Sequence, residues 1–178
     1  MGDSFHVAET PIAGLLEIEL TVHGDDRGWF TETFQRAKLD DVGFPAFEVV
    51  QQNVSFNREV GVTRGIHAEP WDKYVTVVHG RAFSAIVDLR EGPGFGTVVT
   101  RELGPGTALF VPRGCGNAYQ TLTPDVVYSY SVNGYWSPDA QYTLIQAFDP
   151  DLGIDWPIGA DAAIRSAKDI AHPRLADL

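Results

Sequence analysis

One cysteine, Cys115, stands in 178 residues, so no disulfide can form within the chain, and the composition fits a reducing compartment. No apolar run approaches the roughly 20 residues that a membrane helix needs. Positive charge is scarce: 13 Lys and Arg against 24 Asp and Glu leave a formal charge of −11. That balance argues against a general basic surface for nucleic acid and against attachment to anionic membranes. An anionic ligand would need its own local cluster of Arg and Lys. The N-terminal MGDSFHVAET lacks a basic start followed by an apolar core, and His6 stands where a myristoylation motif requires Ser or Thr. The expectation is a cytoplasmic protein with neither nucleic acid nor membrane as partner.

What the chain does have is turns and short apolar runs. Eighteen glycines and eleven prolines divide it into many pieces, most of which read as strands. Ile12 to Val22 alternates loosely and stops at His23-Gly24-Asp25-Asp26. Lys73 to Val78 and Ala82 to Leu89 are β-branched or aromatic runs, and the His79-Gly80 step between them predicts a hairpin. Thr97 to Leu103, Thr107 to Val111, Asn117 to Leu122, Val126 to Val132 and Gln141 to Ala147 continue the rhythm. Such spacing predicts an all-β sandwich or barrel. Two short helices are expected at its periphery: Arg36 to Val42, ending at Gly43, and Ala162 to Ile170, capped by Asp161. With no repeat or long linker, residues 1–178 read as a single domain, with a core over about 20–150 and a C-terminal segment, 151–178, packed on it.

Two glycine-anchored motifs narrow the architecture. In Gly61–Gly80, GVTRGIHAEPWDKYVTVVHG, a glycine is followed after five residues by His67. Further on, Gly106, Pro112 and Gly114 hold the intervals of a second motif whose last position is Asn117. The pair resembles the two motifs of a cupin, a jelly-roll barrel also described as a double-stranded β-helix. Metal-binding cupins carry histidines and a glutamate in these places, whereas here Glu69 and Asn117 occupy two of them. His67 and Glu69 alone are a poor ligand set, so no metal is expected. His6, His23, His79 and His172 have no spacing that recruits them. A single placed histidine suits proton transfer instead.

Each candidate also has a plainer reading. His67 could be a core histidine, yet it lies between Arg64 and Lys73 where positive charge is rare. If the segment is extended, Lys73 can share the barrel interior with His67 beyond Glu69-Pro70-Trp71. Tyr128 and Tyr130 alternate in VVYSYSV and read first as wall packing, with a proton donor as the second possibility. DDRGWFTETF is either an edge strand with solvated charges or a nucleotide patch, with Arg27 for phosphate and an aromatic for a base.

Six segments, DDRGWFTETF, QQNVSFN, GVTRGIHAEPWDKY, VDLREGPGFG, LFVPRG and FDPDLGIDWP, occur in an order that resembles the dTDP-4-dehydrorhamnose 3,5-epimerase family, from about residue 20 to 173. The resemblance implies a dTDP-linked 4-keto-6-deoxyhexose as substrate, in L-rhamnose-like deoxysugar biosynthesis, with no cofactor and a homodimeric assembly. It implies His67 as the catalytic base, Asp169 as its carboxylate partner, Lys73 as the group that stabilises the enolate, and Tyr130 as the proton donor. It gives Arg27, Gln51, Asn53 and Arg64 to the diphosphate and sugar, and Phe30 and Glu32 to the thymine. Trp136 stands where a tyrosine usually stacks on the nucleotide, and Asn117 where a histidine usually flanks the substrate. The loop from His67 to Lys73 is shorter than usual, and Lys168 replaces an arginine. The short loop and Asn117 lie close to the sugar, and they leave open an enzyme acting at C3 alone or C5 alone. A 3,4-ketoisomerase, a metal-dependent cupin and a non-catalytic sugar-nucleotide sensor are the other readings.

Overall fold

Strand faces alternate, and the fold is the arrangement that buries one apolar face inside a barrel and a second beneath peripheral segments. A computed structural model describes residues 5–178; the first four residues of the N-terminal stretch read above lie outside the described part. One sheet sets β1 (His6–Glu9), β2 (Leu16–Glu19), β10 (Thr107–Val111), β7 (Lys73–His79), β12 (Val126–Val132) and β5 (Gln51–Asn57) side by side. The other orders β13 (Thr143–Leu144), β6 (Thr63–Ala68), β11 (Cys115–Thr121), β8 (Ala82–Asp88) and β9 (Val98–Leu103). Every pairing in these two sheets is antiparallel. From β5 to β8 and again from β10 to β12 the chain changes sheet at each step, which is the jelly-roll path of a cupin. A separate hairpin joins β3 (Val22–Asp25) to β4 (Gly28–Thr31). No helix among the described residues is long and apolar enough to cross a membrane.

Three apolar clusters hold this together. Val75, Val77, Ile86, Leu103, Leu109 and Tyr128 fill the barrel. Phe5, Leu39, Phe44, Phe47, Tyr74 and Phe110 pack outside the six-stranded sheet, beneath the helix α1 (Arg36–Asp41). Ile66, Val87, Ala118, Ile145 and Leu152 pack outside the five-stranded sheet. Because both sheets are covered on both faces, β7 and β8 read as continuous apolar runs.

Several predicted boundaries change. His79-Gly80 is not a hairpin: β7 pairs with β10 and β12, whereas β8 belongs to the other sheet. Gly80, at φ +77°, turns the corner between them. A turn signal reports a change of direction, and buried faces choose the partner. Ile12 to Val22 holds β2 over Leu16–Glu19 and then the first residue of β3, and the expected stop at His23-Gly24-Asp25 continues β3, turning at Asp26-Arg27. Gln141 to Ala147 keeps two strand residues, with Ile145 exchanging both backbone hydrogen bonds with Ile66. The first helix matches its prediction, ending before Gly43 at φ +76°. The last helix, α2, shrinks to Ala167–Ile170 and is capped by Ser166, not Asp161. Ile164 is diverted into a parallel bridge with Val62, its N–H donating to the Gly61 carbonyl.

One irregularity positions the site. In the β11–β6 ladder, Asn117 faces His67 but Tyr119 faces Arg64, so β6 carries an extra residue there. A bulge shifts side-chain parity by one, and Arg64 and His67, three apart, both line one cavity. Gly65 makes this possible: at φ +110°, its missing Cβ would lie 2.6 Å from the Asn117 carbonyl and 2.7 Å from Ala118. Gly65→Ala should therefore lower stability by about 2–4 kcal/mol, read as the midpoint of chemical unfolding. Gly159→Ala, with no atom within 4 Å of the added carbon, should leave it nearly unchanged.

Candidate active site

The interior near the open end of the barrel is polar. Ser55, Arg64, His67, Glu69, Lys73, Asn117, Tyr119, Tyr128 and Tyr130 line a cavity of about 220 Å³. A second cavity of about 370 Å³ shares His67 and Glu69 with it and adds Trp136, Pro138, Tyr142, Leu144, Lys168 and Asp169. Together they form a cleft lined by strands and closed on one side by the C-terminal segment.

His67 Nε2 lies 3.1 Å from Asp169 Oδ1. The carboxylate comes from α2, held by the Ser166 cap and docked on β6 through the Val62–Ile164 bridge. Burial pushes the Asp169 carboxyl up, but the hydrogen bond to His67, its charge and Ser166 outweigh this and hold it below the ordinary 3.8. With Nε2–H donated to an ionised carboxylate, the imidazole keeps its lone pair on Nδ1 and its orientation is fixed.

Lys73 is fully buried, with its ammonium 3.0 Å from Glu69 Oε2, 3.4 Å from the His67 carbonyl and 6.0 Å from the centre of the Tyr130 ring. Burial pulls its pKa down, and the Glu69 carboxylate opposes that pull. Glu69 in turn accepts Trp71 Nε1–H at 2.7 Å. The short loop is thus braced: Asp72 accepts from Asn133 Nδ2 and the Arg113 backbone and side chain, and its own N–H donates to Asn133 Oδ1. Trp71 packs edge-on against Tyr142 and against Gly134, where a Cβ would come within 2.9 Å of the indole.

The two tyrosines of VVYSYSV part company. Tyr128 is 1% exposed, stacked on Tyr119 at 4.0 Å, and shares hydrogen bonds of 3.2 Å with the Asn117 amide. Tyr130 is partly buried and lines the cavity; burial, then the Glu69 charge, raise its pKa and keep the phenol protonated.

A sequence profile described as dTDP-4-dehydrorhamnose 3,5-epimerase matches residues 9–177. The chain is 47% identical to a protein named RmlC homolog from Streptococcus pyogenes serotype M6, over 94% of this chain and 87% of that one. It is 33% identical to a dTDP-4-dehydrorhamnose 3,5-epimerase from Methanothermobacter thermautotrophicus, over 93% and 91%. Among solved structures, RmlC from Streptococcus suis in complex with dTDP-D-xylose superposes with a TM-score of 0.92 at 42% identity, covering 99% of this chain and 94% of that one. The chain belongs to the dTDP-4-dehydrorhamnose 3,5-epimerase family.

Of the residues that the family resemblance picks out, His67, Asp169, Lys73, Tyr130, Arg64, Asn117 and Trp136 line the joined cavities. Gln51 and Asn53 are bonded to each other at 2.9 Å, and Gln51 accepts the Trp136 N–H at 3.0 Å. Arg27, Phe30 and Glu32 lie elsewhere in the single chain. Arg27 is clamped on Asp25 in the β3–β4 hairpin, Glu32 bonds Lys38, and Phe30 is 67% exposed. Sequence reading missed Ser55, Tyr119 and Tyr142 in the lining. Period-2 alternation through QQNVSFN already placed Ser55 on the face of Gln51 and Asn53.

Glu69→Gln keeps an acceptor for Trp71 but removes the charge that opposes desolvation of Lys73. The native Lys73 pKa, already below its ordinary 10.5, should fall further. Titrating the Lys73 side chain by heteronuclear NMR should show its deprotonation moving to lower pH in the variant.

Proposed function

We propose that this chain is an isomerase that inverts C3, C5 or both in a dTDP-linked 4-keto-6-deoxyhexose. The carrying observation is the His67–Asp169 pair at 3.1 Å opening onto a cavity that also holds Lys73 and Tyr130. The C4 ketone makes the neighbouring C–H bonds acidic, so the task is to remove a proton, support an enolate and return a proton to the other face. His67 Nδ1 takes the proton, and Asp169 stabilises the imidazolium. The Lys73 ammonium faces the developing negative charge on O4 from a site without solvent, where its field is little screened. Tyr130 donates its phenolic proton to the opposite face, which produces inversion. None of these steps exchanges electrons with a cofactor.

Arg64 meets the diphosphate, while Trp136, at the mouth, offers an indole face to the base. The short loop between His67 and Lys73 favours reaction at a single carbon, and so does Asn117, spent on Tyr128 where the family's usual histidine would flank the sugar. The C-terminal segment 151–178 counts as part of one cupin domain, since the base is incomplete without Asp169.

A homodimer is part of this reading. On β5, Gln51, Asn53, Ser55 and Asn57 face inward, whereas Val54 and Phe56 face outward and are 65% and 55% exposed on an open sheet edge. A second copy covering that face would also explain why Arg27, Phe30 and Glu32 stand apart from the cavity: the hairpin of one copy would serve the other. The buried state of Cys115 and the scarcity of cysteine suit the cytoplasm.

Incubation with dTDP-4-dehydro-6-deoxy-D-glucose in heavy water should place deuterium at C5, C3 or both, read by NMR. His67→Ala should slow exchange by a factor on the order of 10²–10⁴ while nucleotide affinity changes little. Absence of label at both carbons, or full activity of the variant, would overturn the assignment. Val54→Asp combined with Phe56→Asp should convert a dimer into monomers by sedimentation and weaken nucleotide binding with it.

A further inference from the structure

His172 has no part in the chemistry above, yet it is placed with care. Its side chain is 6% exposed, and its ring meets that of His67 edge-on, with centres 5.5 Å apart. Among the described residues no group meets full hydrogen-bond geometry with either ring nitrogen, and the Ile145 backbone is the one close enough to pair weakly with the ring. Its Nε2 points toward Asp169 Oδ1 at 3.9 Å. A buried imidazole so weakly partnered is costly, and the side chains it approaches are a second imidazole and a carboxylate.

We propose that His67, Asp169 and His172 form a binding site for a divalent transition cation, zinc above all, whose occupancy silences the catalytic base. One donor atom from each residue lies within 4.8 Å of the other two. Zinc takes nitrogen and carboxylate oxygen at roughly 2.0–2.2 Å, so tetrahedral ligands sit about 3.4 Å apart. The His67–Asp169 separation of 3.1 Å is already near that value. The His172–Asp169 separation of 3.9 Å reaches it with a small ring movement. Three protein ligands leave a fourth position toward the cleft, as in open zinc sites.

Of the three, only His67 stands where other cupins hold metal. Glu69 is engaged by Trp71 and Lys73, and Asn117 by Tyr128. Two of the three donors come instead from the C-terminal turn, where Asp169 and His172 are spaced i, i+3.

The consequence follows from imidazole chemistry. Neutral His67 carries one N–H. When a cation takes the Nε2 lone pair, that proton must reside on Nδ1, and the lone pair that would abstract the substrate proton is gone. No bond to the nucleotide is touched, so binding should survive while exchange stops. The inhibitory consequence rests on the epimerase reading; the metal site itself does not.

The two are separable by experiment on the full chain after chelator treatment. Cobalt(II), titrated as a probe, should give the intense visible absorption of a tetrahedral site at one equivalent, displaced by zinc. His172→Gln should weaken binding of either ion by roughly tenfold or more. Zinc should suppress deuterium exchange, and EDTA should restore it. His172→Gln should exchange without zinc and resist its addition. Should that variant not fold, the histidine ring signals of the unaltered protein decide, since zinc should shift His67 and His172 ahead of His6, His23 and His79. Absence of the cobalt band, undiminished binding in His172→Gln, or zinc shifting only the other histidines would overturn the site. Stoichiometric binding in a protein that never exchanges deuterium would instead overturn the epimerase reading.

Discussion

Two residues of β6, Gly65 and Ile66, lie across from one of β11, Ala118, and the parity of the strand changes at that point. Everything chemical in the barrel depends on this. Without the extra residue, Arg64 and His67 would face opposite sides, one of them into the apolar cluster around Ile66 and Ala118. Gly65 tolerates the close approach of the Asn117 carbonyl that the bulge requires. His67 then faces the C-terminal turn, and Asp169 can reach Nε2 only because the Val62–Ile164 bridge holds that turn against the same strand.

A second constraint is the cost of a buried ammonium. Lys73 contributes a strong field because water is excluded from it, yet the same exclusion favours its neutral form. Glu69 resolves the conflict at 3.0 Å, and Trp71 keeps Glu69 in place. The short loop is therefore a built element: Asp72 ties it to Arg113 and Asn133, and Trp71 seals it against Tyr142 and Gly134. In a chain of net charge −11, this is how Lys73 stays in a cleft that also holds Arg64, Lys168 and two carboxylates.

Much of the molecule was legible before the structure. The two glycine-anchored motifs and the strand rhythm identified the jelly roll, and His67 with Lys73 emerged from spacing and charge alone. Asp169 did not; it is 102 residues from His67, and only the family resemblance pointed to it. His79-Gly80 was legible as a turn but not as a corner between sheets, because local turn chemistry says nothing about which buried face each strand will meet. Asp161 had the composition of a cap, and Ile164 overrode it by pairing with Val62. Tyr128 and Tyr130 were indistinguishable in VVYSYSV, since what holds Tyr128 apart, the Asn117 amide and the Tyr119 ring, comes from another strand.

By itself, then, the sequence determined the strand periods, the turns and the chemical types available: a lone histidine among scarce cations, a lysine an even number of residues beyond it, tyrosines in alternation. These are properties of neighbours along the chain, where covalent geometry sets the relation. Tertiary structure alone decided which carboxylate meets which imidazole, that the hairpin bearing Arg27 and Phe30 stands away from the cavity, and that His172 is buried against His67 and Asp169. Those relations depend on docking of distant segments, and no local preference encodes them.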